Sequence, residues 1–285
     1  MTLLPKAFAP FHHPSTGRSR FVAGKGIKLH VEAHGPSDGR PVLFLHGLGW
    51  DHTLWGPMLP AFTAAGYRVI LGDTRGHGRS DKPEGPYSIA LFAEDWDAAI
   101  AELGLNRPAI IGFSQGGMIA QALAVKDPNR FAALALVGTT CRASAAGREK
   151  MLERIEAARR DGAEASARVA GKSIFHPDFI ATNPEYFEQF VAWRAAMPQE
   201  PILAATTAGF GFDVTEGLKH ITVPTLVVAG TDDTLIPLAS ARLPAEHLPA
   251  ATLIEIGGTG HLMPVEAPEA LLEVLLPYMA TQYPA

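Results

Sequence analysis

The tightest constraint in this chain is the stretch "IIGFSQGGMIAQ", Ile110 to Gln121. An apolar run stops at a serine crowded by glycines, and small and apolar residues then resume at helical spacing. Passing directly from a strand into a helix forces the residue at the turn, Ser114, into a strained conformation and lifts its hydroxyl off the sheet edge. The residues two before and two after it come close together. Glycine stands at both places, Gly112 and Gly116, where side chains would clash. Strain of ~1–3 kcal/mol at a non-glycine residue persists only where the surroundings impose it. The spacing predicts a strand over 107–113, a helix over 115–128 ended by Pro128, and a serine held out between them.

The same rhythm runs through much of the chain. Arg20 to His34 suggests a hairpin around "GKG". "PVLFLHG" (41–47), "YRVILGD" (67–73) and "FAALALVG" (131–138) are short apolar runs expected as buried strands. A helix is expected to end at Gly66. "SIALFAEDWDAAIAELG" (88–104) opens on serine, keeps helical spacing and stops at glycine. Continuous rather than alternating apolar strands, interleaved with helices, predict a mostly parallel sheet covered on both faces. From about Cys141 to Gly217 the pattern is helical without a convincing strand. The strand–helix rhythm returns with "VPTLVVAG" (223–230), a helix near 239–248, "ATLIEIGG" (251–258) and a last helix, "APEALLEVLLPYMA". The expected organisation is an α/β core of residues 1–140 and 218–285, interrupted by a helical cap of residues 141–217. Lying between two sheet strands, that cap is expected to cover the C-terminal edge of the sheet, where open parallel sheets bind ligands.

Composition narrows the function. A net charge of −5 leaves no basic surplus for neutralising phosphates, so nucleic acid is not an expected partner. A single cysteine, Cys141, excludes an internal disulfide. No apolar stretch approaches the ~18 residues of a membrane helix. The N-terminal "MTLLPKAFAPFHHPSTGRSR" lacks an uninterrupted apolar core and suggests a loosely ordered lead-in, so cytoplasmic residence is the default expectation. No clustered Cys/His ligand pattern and no phosphate-binding loop is present, so neither a metal nor an organic cofactor is expected.

A serine hydroxyl is a poor nucleophile until a base takes its proton. Of the eleven histidines, His261 sits in the glycine-rich loop "GGTGHLMP" directly after a late strand, which brings it to the same sheet edge as Ser114. His12 and His13 fall in the lead-in, His30 and His34 beside the first hairpin, His176 in the insert, and His220 and His247 in connecting segments. A base needs a third group to fix its tautomer and hold its charge. "AGTDDTLIP" (229–237) offers two carboxylates; its spacing favours Asp233, with Asp232 as the alternative. An oxyanion needs donors as well. The backbone N–H groups of Gln115, at a helix start, and of Leu48, in the loop after "FLHG", are the candidates. His46 is expected to brace that loop.

Five ordered blocks, "FLHGLG", "GDTRGHGRSDKP", "GFSQGGMIAQ", "VPTLVVAGTDDTLIP" and "GHLMPVEAPE", together resemble the α/β-hydrolase superfamily over nearly the whole chain. The resemblance implies the chain order Ser114, Asp233, His261. Some members carry the acid after the strand that precedes the insert, but Phe131 to Arg148 contains neither Asp nor Glu. The resemblance also makes Asp73, Arg75 and His77 loop-bracing residues rather than catalytic ones. Within the superfamily the chain looks most like 3-oxoadipate enol-lactonases and related esterases. It is also similar to cofactor-free perhydrolases and haloperoxidases, and to hydrolases that cleave C–C bonds of ring-cleavage products. Dehalogenases resemble it too, but they use aspartate where this chain has Ser114.

The implied activity is hydrolysis of small carboxylic esters or lactones; a ligand receptor on the same fold is the reading from another class. Eight insert aromatics, Phe175, Phe179, Tyr186, Phe187, Phe190, Trp193, Phe210 and Phe212, favour an apolar substrate unless they serve to pack the insert onto the core.

Overall fold

The structure, a computed structural model, describes residues 17–285. His12 and His13 lie outside the described residues, but the end of the expected loose lead-in, residues 18–20, is ordered as part of a strand. Eight strands form one sheet in the order β1-β2-β4-β3-β5-β6-β7-β8. β1 (Arg18–Ala23) and β2 (Lys28–His34) are the expected hairpin. It joins the sheet antiparallel through β2 and β4 (Arg68–Gly72). All later neighbours are parallel: β4 with β3 (Pro41–Leu45), then β5 (Ala109–Phe113), β6 (Leu134–Val137), β7 (Thr225–Gly230) and β8 (Ala251–Ile256).

The central strands are apolar throughout because both of their faces are covered. On β3, Val42 and Phe44 point into one core while Leu43 and Leu45 point into the other. β5 divides likewise, with Ile111 and Phe113 on one side and Ile110 on the other. That is the two-residue period of a strand buried on both sides. α1 (Leu59–Ala64) and α11 (Pro268–Gln282) cover the first face. α2 (Ile89–Glu102), α3 (Gln115–Lys126) and α9 (Leu238–His247) cover the second. α2 starts where its cap dictates: the Ser88 side chain accepts a hydrogen bond from the N–H of Leu91. A four-residue helix, α10 (Met263–Glu266), precedes α11.

Between β6 and β7 the chain forms α4 (Ala145–Ile174), α5 (Pro177–Thr182), α6 (Pro184–Ala195), α7 (Gln199–Thr207) and α8 (Thr215–Leu218). The expected helix "GREKMLERIEAARRDG" does reach Gly162. There φ turns to +85°, which glycine tolerates, and the helix resumes after the kink and runs to Ile174. A lone bridge between Arg142 and Asp213 closes the base of this segment.

Below the sheet edge, Arg75 and Asp95 form a buried two-point ion pair. Nε and Nη2 of Arg75 donate to the two carboxylate oxygens at 2.7 Å each, and the N–H of Lys25 donates to the same carboxylate at 2.8 Å. Asp95 belongs to α2, so the pair fastens the loop after β4 to the helical layer. Removing one member leaves a buried charge without its partner. Asp95→Ala should therefore lower unfolding stability by about 3–5 kcal/mol, read as a shifted urea midpoint. Adding Arg75→Met should restore part of the loss.

Candidate active site

At the end of β5 the backbone of Ser114 has φ +52° and ψ −117°, one of two positive-φ non-glycine residues among those described. Four hydrogen bonds hold it there. Its N–H donates to Val137 O at 2.9 Å, and its carbonyl accepts from the Thr139 hydroxyl at 2.7 Å and from the N–H groups of Gly117 and Met118 at 2.9 and 3.1 Å. A Cβ on Gly112 would lie 2.5 Å from the Gly116 carbonyl oxygen, and one on Gly116 would lie 2.2 Å from the Leu45 carbonyl oxygen. Both obstacles are backbone, so neither can step aside.

His261 Nε2 lies 3.0 Å from Ser114 Oγ, and His261 Nδ1 lies 2.7 Å from Asp233 Oδ2. The other oxygen of Asp233 accepts the N–H groups of Leu235 and Ile236, each at 2.8 Å. The carboxylate is therefore fully engaged although it is buried. Of the two neighbouring carboxylates, it is that of Asp233 that contacts His261. Asp232 is half exposed, and its carboxylate lies 3.9 Å from His176. The loops carrying Asp233 and His261 cross at Gly230, where a Cβ would come within 2.6 Å of two carbonyl oxygens, those of Thr259 and Gly260.

The loop after β3 passes over the serine. A Cβ on Gly47 would lie 3.2 Å from Ser114 Cβ and 2.9 Å from the Phe113 ring. Leu48 and Gln115 border the same cleft as Ser114 and His261. Gln115 opens α3, where first-turn N–H groups have no acceptor inside the helix. Its side chain also has a use that the pentapeptide pattern did not disclose: Nε2 donates to Ala205 O of α7 at 2.8 Å, tying the serine turn to the helical segment.

The bracing expected of His46, Asp73 and His77 is visible in detail. His46 Nδ1 donates to Gly47 O at 2.8 Å, and its Nε2 accepts the N–H of Thr74 at 3.0 Å. His77 Nε2 accepts the N–H of Gly49 at 3.0 Å, while its Nδ1 donates to Arg75 O. Both rings must stay neutral to accept in this way. Burial lowers the pKa of each, that of His77 to about 3. His52 was not singled out by the sequence, yet its Nδ1 and its N–H both meet Asp73 Oδ1 at 2.8 Å. His30 reaches the other Asp73 oxygen at 2.9 Å. Burial works against a charged His52, but hydrogen bonds to Asp73 and Glu32 outweigh it and raise its pKa to about 10. Asp73 is held well below the ordinary carboxylate range, because hydrogen bonds from His30 and His52 overcome its burial. His30, His52 and Asp73 bring ligand-type atoms within 4.8 Å of one another, but they spend those atoms on each other, as a brace does.

Among the described residues, only Phe210 of the eight insert aromatics borders the cleft. Phe175, Tyr186, Phe187 and Phe190 pack into a cluster of their own, and Trp193 packs against Trp50 with ring centroids 5.2 Å apart at a tilt of 47°. Most of them hold the segment onto the core. The cleft is partly open to solvent. No helix of the described residues is long and apolar enough to cross a membrane.

The sequence pattern of the α/β-hydrolase fold family matches residues 40–268. The chain belongs to that family. It is 30% identical over 260 residues to 3-oxoadipate enol-lactonase 2 of Acinetobacter baylyi, covering 91% of this chain and 94% of that one. It is 32% identical over 258 residues to a protein of Azorhizobium caulinodans named as a carbamate hydrolase, covering 90% and 96%. The crystal structure of the enol-lactonase from Burkholderia xenovorans superposes with a TM-score of 0.85 at 26% identity, over 92% of this chain and all of that one. The α/β-hydrolase fold read from the sequence is thus the fold of the chain, and its relatives include enzymes named for lactone hydrolysis.

The His52 brace carries a pH signature. A folded pKa raised from 6.5 to about 10 gives stability that is fully present below pH 6.5 and is lost as pH rises through 10. His52→Asn should therefore lower Tm at pH 6.5 and flatten its decline between pH 7 and 10. An unchanged slope would mean that His52 is not charged in the folded protein.

Proposed function

We propose that the protein is a serine hydrolase of small carboxylic esters or lactones, with Ser114 as nucleophile, His261 as general base and acid, and Asp233 as the group that orients and balances the base. The observation that carries this reading is the unbroken hydrogen-bonded chain from Asp233 through His261 to a strained, cleft-facing Ser114.

In the proposed cycle, Ser114 Oγ adds to the carbonyl carbon as its proton passes to His261 Nε2. The Leu48 and Gln115 amides hold the negative oxygen of the tetrahedral intermediate. The bond to the leaving oxygen then breaks, and His261 gives that oxygen its proton. Water attacks the resulting acyl-serine, losing a proton to His261, which returns one to Ser114 as the acid departs. With a lactone, the released hydroxyl stays on the same molecule as the acid. No step requires a metal or an organic cofactor. In this reading the helices between β6 and β7 act as the cap over the cleft, and substrate choice is made there.

Ser114→Ala should reduce kcat/KM on p-nitrophenyl esters by about 10^4-fold or more while leaving Tm within a few degrees. A fluorophosphonate probe should label the wild type and not this variant. Absence of labelling in the folded wild type would favour a receptor on the hydrolase fold. A kcat/KM on a ring-fission dienoate far above that on esters would overturn the ester reading in favour of C–C bond hydrolysis.

A further inference from the structure

The cleft above Ser114 has a lopsided charge. Five cationic side chains border it, Arg142, Arg148, Lys150, Arg154 and Arg194, and none of its described lining residues is an aspartate or glutamate. This holds in a chain whose net charge is −5. Arg142, Arg148 and Lys150 stand exposed at the rim, where water screens them. Arg154 of α4 and Arg194 of α6 lie within. Both are partly buried rather than exposed.

Neither inner arginine has a carboxylate partner among the described residues. The hydrogen-bond contacts of their side chains are to sulfur: Arg154 Nη1 to Met151 at 3.7 Å, and Arg194 Nη1 to Met197 at 3.4 Å. Elsewhere the fold pairs its buried charges, as Arg75 with Asp95 shows. Two like charges in one desolvated space are costly unless an anion joins them. Burial lowers the pKa of both, Arg154 to about 10 and Arg194 to about 9, with the Arg154 charge adding to the effect on Arg194. Both guanidinium groups still carry their charge at neutral pH.

The placement is informative as well. The Arg194 guanidinium lies directly on Gly49, where a Cβ would be 1.8 Å from Nη1. Gly49 follows Leu48, the proposed oxyanion donor, and its φ of +68° suits glycine. A group held by Arg194 therefore lies against the loop that carries Leu48.

We infer that Arg154 and Arg194 form an anion subsite that takes a carboxylate carried by the substrate, so that the preferred ester or lactone is a monoanion whose charged group sits a few bonds from the scissile carbonyl. A planar guanidinium matches a carboxylate in a two-point geometry, and such charge-assisted contacts are strong where water is excluded. The apolar expectation drawn from the insert aromatics then applies to the part of the cleft beside Phe210 and Met118, not to the inner pair. This inference rests on the proposed hydrolytic reading for its substrate class, but not for the subsite itself.

The test compares two p-nitrophenyl esters of equal chain length, the hemiester of glutaric acid and the ester of pentanoic acid. Wild type should favour the glutarate ester by about tenfold or more in kcat/KM, chiefly through KM. Arg154→Met and Arg194→Met should each collapse that ratio, and Arg194→Lys should restore part of it. Equal use of the two esters by wild type, or an equal fall on both esters in the Met variants, would overturn the subsite; the second result would instead assign Arg194 to the oxyanion or to loop support. A binding arm separates this from failure of the hydrolase reading. Glutarate should bind Ser114→Ala protein in calorimetry and raise its Tm, with affinity at least about tenfold weaker once Arg154 or Arg194 is also replaced by Met. If no ester is cleaved and Ser114 resists the fluorophosphonate, the hydrolase reading falls while that binding result still decides the subsite. Glutarate binding that ignores both arginines would overturn it.

Discussion

The site depends on one backbone constraint: the chain must turn from β5 into α3 within a single residue. Ser114 sits at positive φ without being glycine, which is unfavourable in isolation. It stays there because Val137, Thr139 and the first turn of α3 hold its N–H and carbonyl. The contact of Gly116 with the Leu45 carbonyl lets α3 approach β3 closely enough to seat the turn beneath the loop that follows that strand. The parallel sheet then brings the ends of β7 and β8, with Asp233 and His261, to the same edge. Glu266 ties the base loop to the helical segment by accepting the N–H groups of Leu262 and His176, each at 2.9 Å.

Much polar material is spent on holding loops still. His46, His52 and His77 are all buried or nearly so, and each uses its ring to fasten the loop after β3 to the loop after β4. Environment divides their charge states. His77 is kept neutral by burial so that it can accept the Gly49 amide, while His52 is charged by its carboxylate neighbours. Histidines of identical intrinsic chemistry thus serve as acceptor or counter-charge according to what surrounds them. The loop carrying Leu48 is set from below by these rings and from above by Trp50 against Phe190 and Trp193.

The fold and the Ser–His–Asp alignment were legible in the sequence for specific reasons. Continuous apolar runs identified strands buried on both faces, and glycines at 112 and 116 marked places where backbone meets backbone. Strand ends were displaced by one to three residues, since the apolar run of "FAALALVG" continues beyond the four residues that pair as β6. The choice between Asp232 and Asp233 was open, because neighbouring residues on a loop differ in direction and not in chemistry. His52 went unremarked because its partners, Asp73 and Glu32, are distant in the chain. The insert was read through its aromatics, which mostly pack against one another, and its cations carried no expectation.

By itself, the sequence determined a parallel sheet with a serine forced out at its edge, because strand burial and glycine contacts leave local signatures at fixed spacing. It also narrowed the candidate acid to two adjacent residues and the candidate base to one glycine-rich loop. Only the tertiary structure decided that Asp233 faces His261, that the Gln115 side chain reaches α7, and that Arg154 and Arg194 share a cleft without a carboxylate. Those facts depend on which way side chains from separate elements point once packed. Arg154 and Arg194 are forty positions apart on two helices, and no spacing rule along one helix relates them; their charges meet only because α4 and α6 pack side by side above the sheet.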